Sequence, residues 1–338
     1  MVGLRKALCV SLAVAAAFAV ARPVAAQQAE ETSLALPALT LVFSPIYIAD
    51  SAGLWEKRGL KVKMHDITGI GAMNAVLAKS VDFSSSSGPT IIRAHVRGQK
   101  VQGIAETLNG LAIEIVLRKD VAEAAGVTAA SPVEKRAQAL KGKIASLTSP
   151  NTIPHAHLRY LARRGGVDPE REMTVVSNQA PAGLAALKRG DVHAYVQGPP
   201  WTPTAVQQGI GVLLSSPLRG DLPEIAPLAF NIVVTRAGFC EEKPGVCAKM
   251  ADGVTDAMNY MHDHPKESVE LLRKRMPNID PQVFAESFEL IRKWTPRSSK
   301  VSEKSLANAQ QLMLVGGMLK PEEKLASFAD IYTNKFAK

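Results

Sequence analysis

One pattern occurs twice in this sequence with the same spacing: a helical segment, a short apolar segment and a Gly-Pro pair. In the first copy, Leu77 precedes Gly88-Pro89 by eleven positions. In the second copy, Leu187 precedes Gly198-Pro199 by the same eleven. Each copy is predicted to form a helix, a short strand and a turn into a further helix. An internal repeat of this kind predicts two lobes of similar build.

Around these copies, apolar runs alternate with amphipathic stretches. This alternation is typical of βα units around a mainly parallel sheet, so we predict an α/β protein with helices on both faces of its sheets. Residues 39–43 are predicted as a buried strand, after which Pro45 begins a helix that Gly59 ends. Further predicted strands are residues 60–64, 81–83, 101–107, 113–117, 143–147, 173–176, 192–196 and 228–235. Further predicted helices are residues 71–79, 89–98, 132–140, 153–164 and 182–189, with an almost wholly helical segment from residue 244.

The first 26 residues have the organisation of a secretory signal peptide. Arg5 and Lys6 form a basic start, residues 7–21 are almost entirely apolar, and small residues precede a cleavage site after Ala26. We therefore expect cleavage after Ala26 and a periplasmic protein. Residues 27–36 are predicted as a polar linker.

The charge balance of the chain is basic. The sequence has 40 Lys and Arg residues against 31 Asp and Glu residues, a formal net charge of +9, of which signal cleavage leaves +6. A basic chain can indicate a nucleic-acid partner, but export argues against one. Beyond the signal peptide, no run approaches the roughly 18 apolar residues that a membrane span needs.

Two cysteines, Cys240 and Cys247, remain after the predicted cleavage. Their short spacing and the oxidising compartment predict a disulfide between them. The alternative is a pair of buried thiols. A metal site is disfavoured because no second pair of ligands lies nearby in the sequence.

Five segments together resemble a known family. Residues 43–49 and 53–62 resemble the strand, Pro-containing turn and helix at the start of ABC-transporter substrate-binding proteins of the nitrate/sulfonate/taurine and thiamine-precursor type. Residues 77–83 and 186–194 resemble the two "AL-x-G-x-VD" elements of that family. Residues 140–145 resemble its "LKGK" entry into the second lobe.

The resemblance implies a two-lobed periplasmic binding protein fold of type II, with the ligand cleft between the lobes. We expect lobe 1 to comprise residues 37–118 and 228–338, and lobe 2 to comprise residues 119–227, with crossings near 115–120 and 226–232. The implied function is a non-enzymatic, monomeric solute receptor that delivers a small molecule to a membrane permease. No cofactor, metal or catalytic residue is expected.

Two other functions remain open from the sequence. Eukaryotic relatives in the thiamine-precursor branch make a pyrimidine, so an enzyme of that type is one alternative. The signal peptide and the absence of a visible nucleophile–base pair argue against it. The other alternative is a protein that presents its ligand to a membrane sensor.

Several loops share one design, in which a strand is followed by small or polar residues and then by a helix. Helix N-termini carry unpaired N–H groups and a partial positive charge, so such loops can bind an acceptor-rich ligand, although their hydroxyls could equally serve only as helix caps. The predicted ligand is a small organic anion or a heteroaromatic molecule, with Tyr47 and Trp201 as flat faces around it. The candidate ligand-binding residues are Ser44, Tyr47, Gly71, Ser85, Ser86, Gly88, Thr107, Ser149, Asn151, Thr152, Gln197, Trp201 and Asn231.

We consider His155 and His157 as possible metal ligands because histidine commonly binds metal ions. Residues i and i+2 of a helix do not share a face, so this pair is not expected to bind one ion. We interpret both histidines as surface or capping residues.

Overall fold

The computed structural model describes residues 29–338. The predicted signal peptide and its cleavage after Ala26 lie outside the described residues. Residues 30–36, predicted as linker, instead form the first strand, which pairs with a neighbouring strand on each side. Thr32 and the run Leu34, Ala35 and Leu36 are buried within it, although its first residues are polar and exposed. No helix formed by residues 29–338 is long and apolar enough to cross a membrane.

Strands and helices alternate along most of the chain. The strands are β1 (Glu30–Leu36), β2 (Leu60–Asp66), β3 (Phe83–Ser86), β4 (Val101–Leu108), β5 (Glu114–Arg118), β6 (Lys143–Leu147), β7 (Met173–Ser177), β8 (Ala194–Gln197), β9 (Gly211–Ser215) and β10 (Asn231–Arg236). The helices are α1 (Ser44–Ser51), α2 (Gly71–Leu77), α3 (Gly88–Val96), α4 (Lys119–Ala124), α5 (Val133–Gln138), α6 (Ile153–Arg164), α7 (Ala180–Arg189), α8 (Trp201–Gln207), α9 (Phe239–Glu242), α10 (Pro244–Asp263), α11 (Pro265–Arg273), α12 (Pro281–Trp294) and α13 (Glu303–Val315).

The strands of residues 29–338 form two sheets of the same design, one in each lobe. Their orders are β2-β1-β3-β10-β4 and β7-β6-β8-β5-β9. Four strands of each sheet share one direction, whereas β10 and β5 run opposite to their neighbours. The two copies of the repeat place β3 and β8 at the centre of their sheets. The predicted two lobes of similar build are therefore confirmed, with mixed sheets.

The opposed strands are those that follow a crossing between lobes. β5 follows β4 in the chain but pairs with β8 and β9 in the second sheet, although we expected residues up to 118 in lobe 1. The first crossing is therefore residues 109–113 rather than 115–120. The second crossing, residues 216–230, begins earlier than expected. An apolar strand has the same sequence pattern in either sheet, so periodicity could not assign β5.

The segment predicted as the first strand, residues 39–43, is a different structure. It contains a 3₁₀ turn at Leu41–Phe43, and the Leu41 N–H donates to the Pro199 carbonyl of the other lobe at 3.0 Å. Leu41, Val42 and Phe43 are buried at the contact between lobes instead of within a sheet, whereas Leu39 is 39% exposed. Elsewhere, the predicted strand 143–147 and helix 153–164 match β6 and α6 residue for residue.

The C-terminal helices begin on lobe 1 and then reach both lobes. α10 packs against α1 and β4, α12 contacts α8, and α13 contacts both α3 and α6. Gly253 of α10 permits a close approach, because a Cβ there would lie 2.1 Å from Cδ1 of the buried Trp55. The Trp55 indole N–H donates to the Met250 carbonyl of the same helix at 3.3 Å.

The predicted Cys240–Cys247 disulfide is present and joins α9 to α10. We expect thiol titration of the unfolded, unreduced protein to find no free thiol at these positions. Reduction should lower the free energy of unfolding by about 2 kcal/mol, because a short cross-linked loop restricts the unfolded chain. The Cys240→Ala/Cys247→Ala variant should not respond to reductant, and two free thiols in the native protein would contradict the pairing.

Candidate ligand-binding site

A cavity lies where the two lobes face each other. A sphere the size of a water molecule can place its centre in about 80 Å³ of it, and part of it is open to solvent. Lobe 1 contributes residues from four separate segments, lobe 2 contributes two, and Ile113 of the first crossing completes the wall. The lining residues are Pro37, Ala38, Thr40, Val42, Phe43, Gly69, Ile70, Met73, Ser85, Ser86, Ser87, Thr90, Ile113, Thr148, Thr152, Ile153, Pro154, Gln197, Gly198, Phe230 and Asn231.

The lining combines an apolar surface with neutral polar groups. Among residues 29–338, no Asp, Glu, Lys, Arg or His side chain contributes to this wall. The apolar part includes Phe43, Ile70, Met73 and Phe230. A mostly apolar pocket with a few convergent polar groups is the usual composition of a small-molecule site.

Five of the predicted site residues line the cavity: Ser85, Ser86, Thr152, Gln197 and Asn231. Two of them are held by short hydrogen bonds. The Gln197 amide donates to Thr148 Oγ1 at 2.6 Å, and the Asn231 amide donates to the Val42 carbonyl at 2.6 Å. These bonds fix the two side chains at the wall and leave their carbonyl oxygens as acceptors.

Ser85 differs from the other polar residues of the wall. It is fully buried on β3, and its hydroxyl has no hydrogen-bond partner among the described residues. A buried hydroxyl without a partner costs free energy, and such groups in native structures call for an explanation. Its position in the cavity lining makes it a ready donor or acceptor for a ligand.

The predicted aromatic faces do not form a sandwich around this cavity. The Tyr47 hydroxyl donates to the Ala38 carbonyl at 3.3 Å, and its ring lies under the Arg275 guanidinium at 4.7 Å. Burial raises the pKa of the Tyr47 hydroxyl well above its usual value. The Trp201 indole donates to the Leu39 carbonyl of the opposite lobe at 2.8 Å. Both aromatic residues therefore support the cavity wall from behind.

Four further candidates in lobe 1 lie outside the lining. The Ser44 hydroxyl donates to the Leu41 carbonyl at 2.6 Å, and Thr107 Oγ1 donates to the Asn231 carbonyl at 3.4 Å. A Cβ on Gly88 would lie 2.8 Å from the Ala229 carbonyl oxygen, so this glycine permits the second crossing to pack closely. Gly71 begins α2, next to the lining residue Ile70.

The two remaining candidates, Ser149 and Asn151, lie in the loop between β6 and α6. Ser149 faces lobe 1, and its carbonyl accepts from Thr152 Oγ1 at 2.6 Å. Asn151 has φ +60°, and its N–H donates to His155 Nδ1 at 3.1 Å. Asn151 lies in a second pocket that adjoins the cavity.

Direct contacts hold the two lobes together across the cleft. Gln179 Nε2 donates to Thr68 Oγ1 at 2.5 Å, and Thr40 Oγ1 donates to the Pro199 carbonyl at 2.6 Å. A Cβ placed on Gly69 would lie 2.5 Å from Cβ of Ser149. The glycine, whose φ is +57°, thus allows an approach that no other residue type permits. The structure is a closed arrangement of the lobes.

Helix N-termini from both lobes meet the cavity. α3 begins beside Ser87, whose hydroxyl accepts from the Thr90 N–H at 3.4 Å. α6 begins after Thr152, whose side chain makes no capping hydrogen bond. Both helices direct the positive end of their dipoles towards the cavity, which favours ligand groups that accept hydrogen bonds.

The two histidines of α6 have different surroundings. His157 is fully buried and contacts Ser215 Oγ at 3.0 Å, so its assignment as a surface or capping residue was wrong. Burial lowers the pKa of His157 to about 3. His155 does have a capping role: its Nδ1 accepts a hydrogen bond from the Asn151 N–H in the loop before α6. In the described part of the chain, no group of three or more His, Cys, Asp and Glu side chains could hold a metal ion.

Two crossing segments, two equivalent sheets and a cavity between them define the two-lobed periplasmic binding protein fold, as the sequence predicted. A solved protein of Bordetella bronchiseptica has this fold with a TM-score of 0.78 and 16% identity, over 90% of this chain and 95% of that one. The structure is also similar to that of the alkanesulfonate-binding protein SsuA of Xanthomonas axonopodis pv. citri bound to MOPS. The TM-score is 0.68 and the identity 16%, over 86% of this chain and 94% of that one.

The family follows from the sequence. The model of the NMT1-like family matches residues 25–273, and the chain belongs to that family. The binding protein YtlA of Bacillus subtilis is 20% identical over 259 residues, which cover 75% of this chain and 73% of the relative. The resemblance derived from the sequence segments is thereby confirmed.

Proposed function

We propose that this protein is an extracytoplasmic solute receptor of an ABC importer. It captures one small organic molecule between its lobes and delivers it to a membrane permease. The observation that carries the proposal is the inter-lobe cavity, whose wall takes hydrogen-bonding groups from both lobes. A ligand that contacts both lobes stabilises the closed form, which a permease can then distinguish from the open form.

The wall also limits the class of ligand. Its apolar surface suits an organic body, and its hydroxyls, amides and helix N-termini suit acceptor groups. With no charged side chain in the described lining, a bare inorganic ion would lose its hydration without a full counter-charge. A heteroaromatic molecule, or an organic molecule with one acidic group, fits better. The relative SsuA, named for alkanesulfonates, is consistent with the second form.

The composition of the wall argues for binding rather than catalysis. General acid–base chemistry needs a side chain that can exchange a proton near the working pH, within hydrogen-bond reach of the substrate. In residues 29–338, the polar side chains that line the cavity are Ser, Thr, Gln and Asn. None of them is paired with a base that could activate it, so the pyrimidine-synthesising alternative receives no support from this wall.

The proposal includes the cellular location of the receptor and its oligomeric state. Export through the predicted signal peptide would place the protein in the periplasm, where it meets the permease as a monomer. The basic mature chain would present its charge on the outer rims of the lobes, where a permease docks. N-terminal sequencing of the exported protein should begin immediately after Ala26.

The identity of the ligand is directly measurable. Small molecules released on denaturation of the natively isolated protein, analysed by mass spectrometry, should include one compound in near-stoichiometric amount. That compound should bind to the ligand-free protein in calorimetry. If no compound is released, and none in an extract of the producing cells binds, the receptor proposal is wrong.

The Ser85→Ala variant should bind that compound up to about tenfold more weakly than the native protein. The reason is the loss of one hydrogen bond, worth about 0.5–1.5 kcal/mol. Stability without ligand should not fall, because the hydroxyl has no partner to lose. Ser287→Ala is the matched control, since Ser287 is also buried and unpartnered but lies on α12, outside the cavity. Equal affinities for both variants would remove Ser85 from the site.

A further inference from the structure

A second pocket, which we call the outer pocket, adjoins the cavity. The two share the lining residues Ile70, Met73 and Thr90. The outer pocket also takes residues from both lobes, with Pro150 and Asn151 on the side of lobe 2. It is therefore adjacent to the cavity and, like the cavity, lies between the lobes.

The lobe 1 side of the outer pocket carries two arginines, Arg93 and Arg97. Arg93 lies in the last turn of α3, and Arg97 is the residue that caps the helix four positions later. Residues i and i+4 lie on the same face of a helix. Among the described residues neither arginine forms an ion pair or a side-chain hydrogen bond, and Arg93 Nε is a buried atom without a partner. This contrasts with Arg58, Arg136 and Arg159, each of which is paired with a carboxylate.

The surroundings of the outer pocket are electropositive. Burial, followed by the charge of Arg97, lowers the pKa of Arg93, and Arg159 adds to the effect. Burial and the charges of Arg159 and Arg93 also lower the pKa of His155 to about 4.

The acidic residues near this pocket do not neutralise it. The charge of Glu323 raises the pKa of Arg93, but among the described residues the two side chains form no ion pair. Glu170 is already paired with Arg159 at 2.8 Å. An unneutralised guanidinium with a buried nitrogen, open to a pocket between lobes, is a site for an anionic group.

We propose that the outer pocket is a subsite for an acidic group of the ligand, a carboxylate, sulfonate or phosphate, held by Arg93 and Arg97 of lobe 1 and Asn151 of lobe 2. This rests on the proposed receptor function, because the body of the same ligand lies in the neutral cavity. A guanidinium binds an oxyanion through charge-assisted hydrogen bonds in a planar geometry. Since Asn151 belongs to lobe 2 and the two arginines to lobe 1, an acidic group that contacts both sides would also favour closure.

The first test uses inorganic sulfate, which needs no knowledge of the ligand. The thermal unfolding midpoint of the whole mature protein is measured against sulfate concentration, with chloride keeping the ionic strength constant. We expect saturable stabilisation of the native protein, and a roughly tenfold or larger loss of apparent sulfate affinity in Arg93→Gln and in Arg97→Gln. Arg171→Gln, at a side chain that is 88% exposed, removes the same charge elsewhere and should behave like the native protein.

The second test separates this subsite from the cavity. Calorimetry compares matched acid and amide pairs, benzoate with benzamide and nicotinate with nicotinamide. We expect any acid that binds to bind more tightly than its amide, and Arg93→Gln to abolish the preference. Ser85→Ala should weaken the native ligand while it leaves the sulfate response intact. No saturable sulfate effect, or equal effects in all three arginine variants, would overturn the subsite. The receptor proposal would survive that result if a compound still binds in the cavity.

Discussion

Replacement of Gly69 by alanine should weaken ligand binding by at least about 100-fold. The added Cβ would lie 2.5 Å from Cβ and 2.9 Å from Oγ of Ser149, so the lobes could not approach as closely as they do in this structure. A ligand held in a partly open cleft loses its contacts with lobe 2, among them those with Thr152 and Gln197. Two hydrogen bonds and the adjoining apolar contacts are worth about 3 kcal/mol, which corresponds to the expected loss of affinity.

Two control variants separate this clash from backbone strain. Gly69 has φ +57°, so alanine is strained there whatever the space around it. Gly126→Ala introduces similar strain at φ +60° with no atom within 4 Å of the new Cβ, far in the sequence from any lining residue, and it should bind normally. Ser149→Gly removes the opposing side chain, and the Gly69→Ala/Ser149→Gly variant should recover most of the affinity. Native affinity in Gly69→Ala alone would show that closure at this point is not required.

The stability of lobe 1 should depend on pH through Glu106. This residue of β4 is 2% exposed, and burial raises the pKa of its carboxyl from 4.5 to about 7. One of its oxygens accepts from the Ser302 N–H and from Ser305 Oγ at the start of α13, whereas the other has no partner among the described residues.

The sign of the effect follows from the raised pKa. Below the unfolded value of 4.5 both states are protonated, and the folded state keeps its full stability. As the pH rises towards 7, the unfolded state releases the proton first. The folded state then loses up to about 3 kcal/mol of stability relative to the unfolded state.

The Glu106→Gln variant should lack this dependence. Glutamine has the shape of the protonated carboxyl and can still accept the two hydrogen bonds from α13. Denaturant unfolding should therefore find it more stable than the native protein by about 3 kcal/mol well above pH 7, and similar near pH 4.5. Glu322→Gln, at an exposed position, removes the same charge and should leave the profile unchanged. If the stability of Glu106→Gln depended on pH as that of the native protein does, the Glu106 carboxyl would not be the buried group with the raised pKa.

Much of the fold could be predicted because local patterns report local structure. Proline at a helix start and glycine after a helix end have meanings that do not depend on the rest of the chain. The prediction for α3 used Pro89 and Gly98, that for α6 used Gly165 and Gly166, and the structure confirms helices at both places. The repeat identified two lobes, because β3 and β8 have the same neighbours along the chain and the same places in their sheets.

The parts that were missed depend on contacts far apart in the sequence. Residues 39–43 are apolar because they meet the other lobe at Pro199, and a buried strand would have the same composition. Tyr47 packs its ring against Arg275, more than two hundred positions later, and no periodicity can indicate that contact. The placement of β5 in the second sheet also depends on distant contacts, so its own sequence pattern could not indicate it.

The candidate site divides in the same way. Segments in which a strand leads into a helix could be located from the sequence, so Thr152, at the start of α6, and Ser85, near the end of β3, were found. Which loop residue faces the cavity depends on the local backbone conformation, which the sequence pattern does not specify. Within the first three residues of the loop after β6, Thr148 lines the cavity and Ser149 meets the opposite lobe. The arginines of α3 lie on a helix that looks solvent-facing from its sequence alone, and only the approach of lobe 2 turns that face into a pocket wall.

The most direct test of the account is the size of the molecule in solution with and without its ligand. Small-angle X-ray scattering of the mature protein should show a smaller radius of gyration at saturating ligand than in its absence. The Gly69→Ala variant should show little change under the same conditions. An unchanged radius of gyration in the native protein at saturating ligand would contradict a receptor that closes two lobes around its solute.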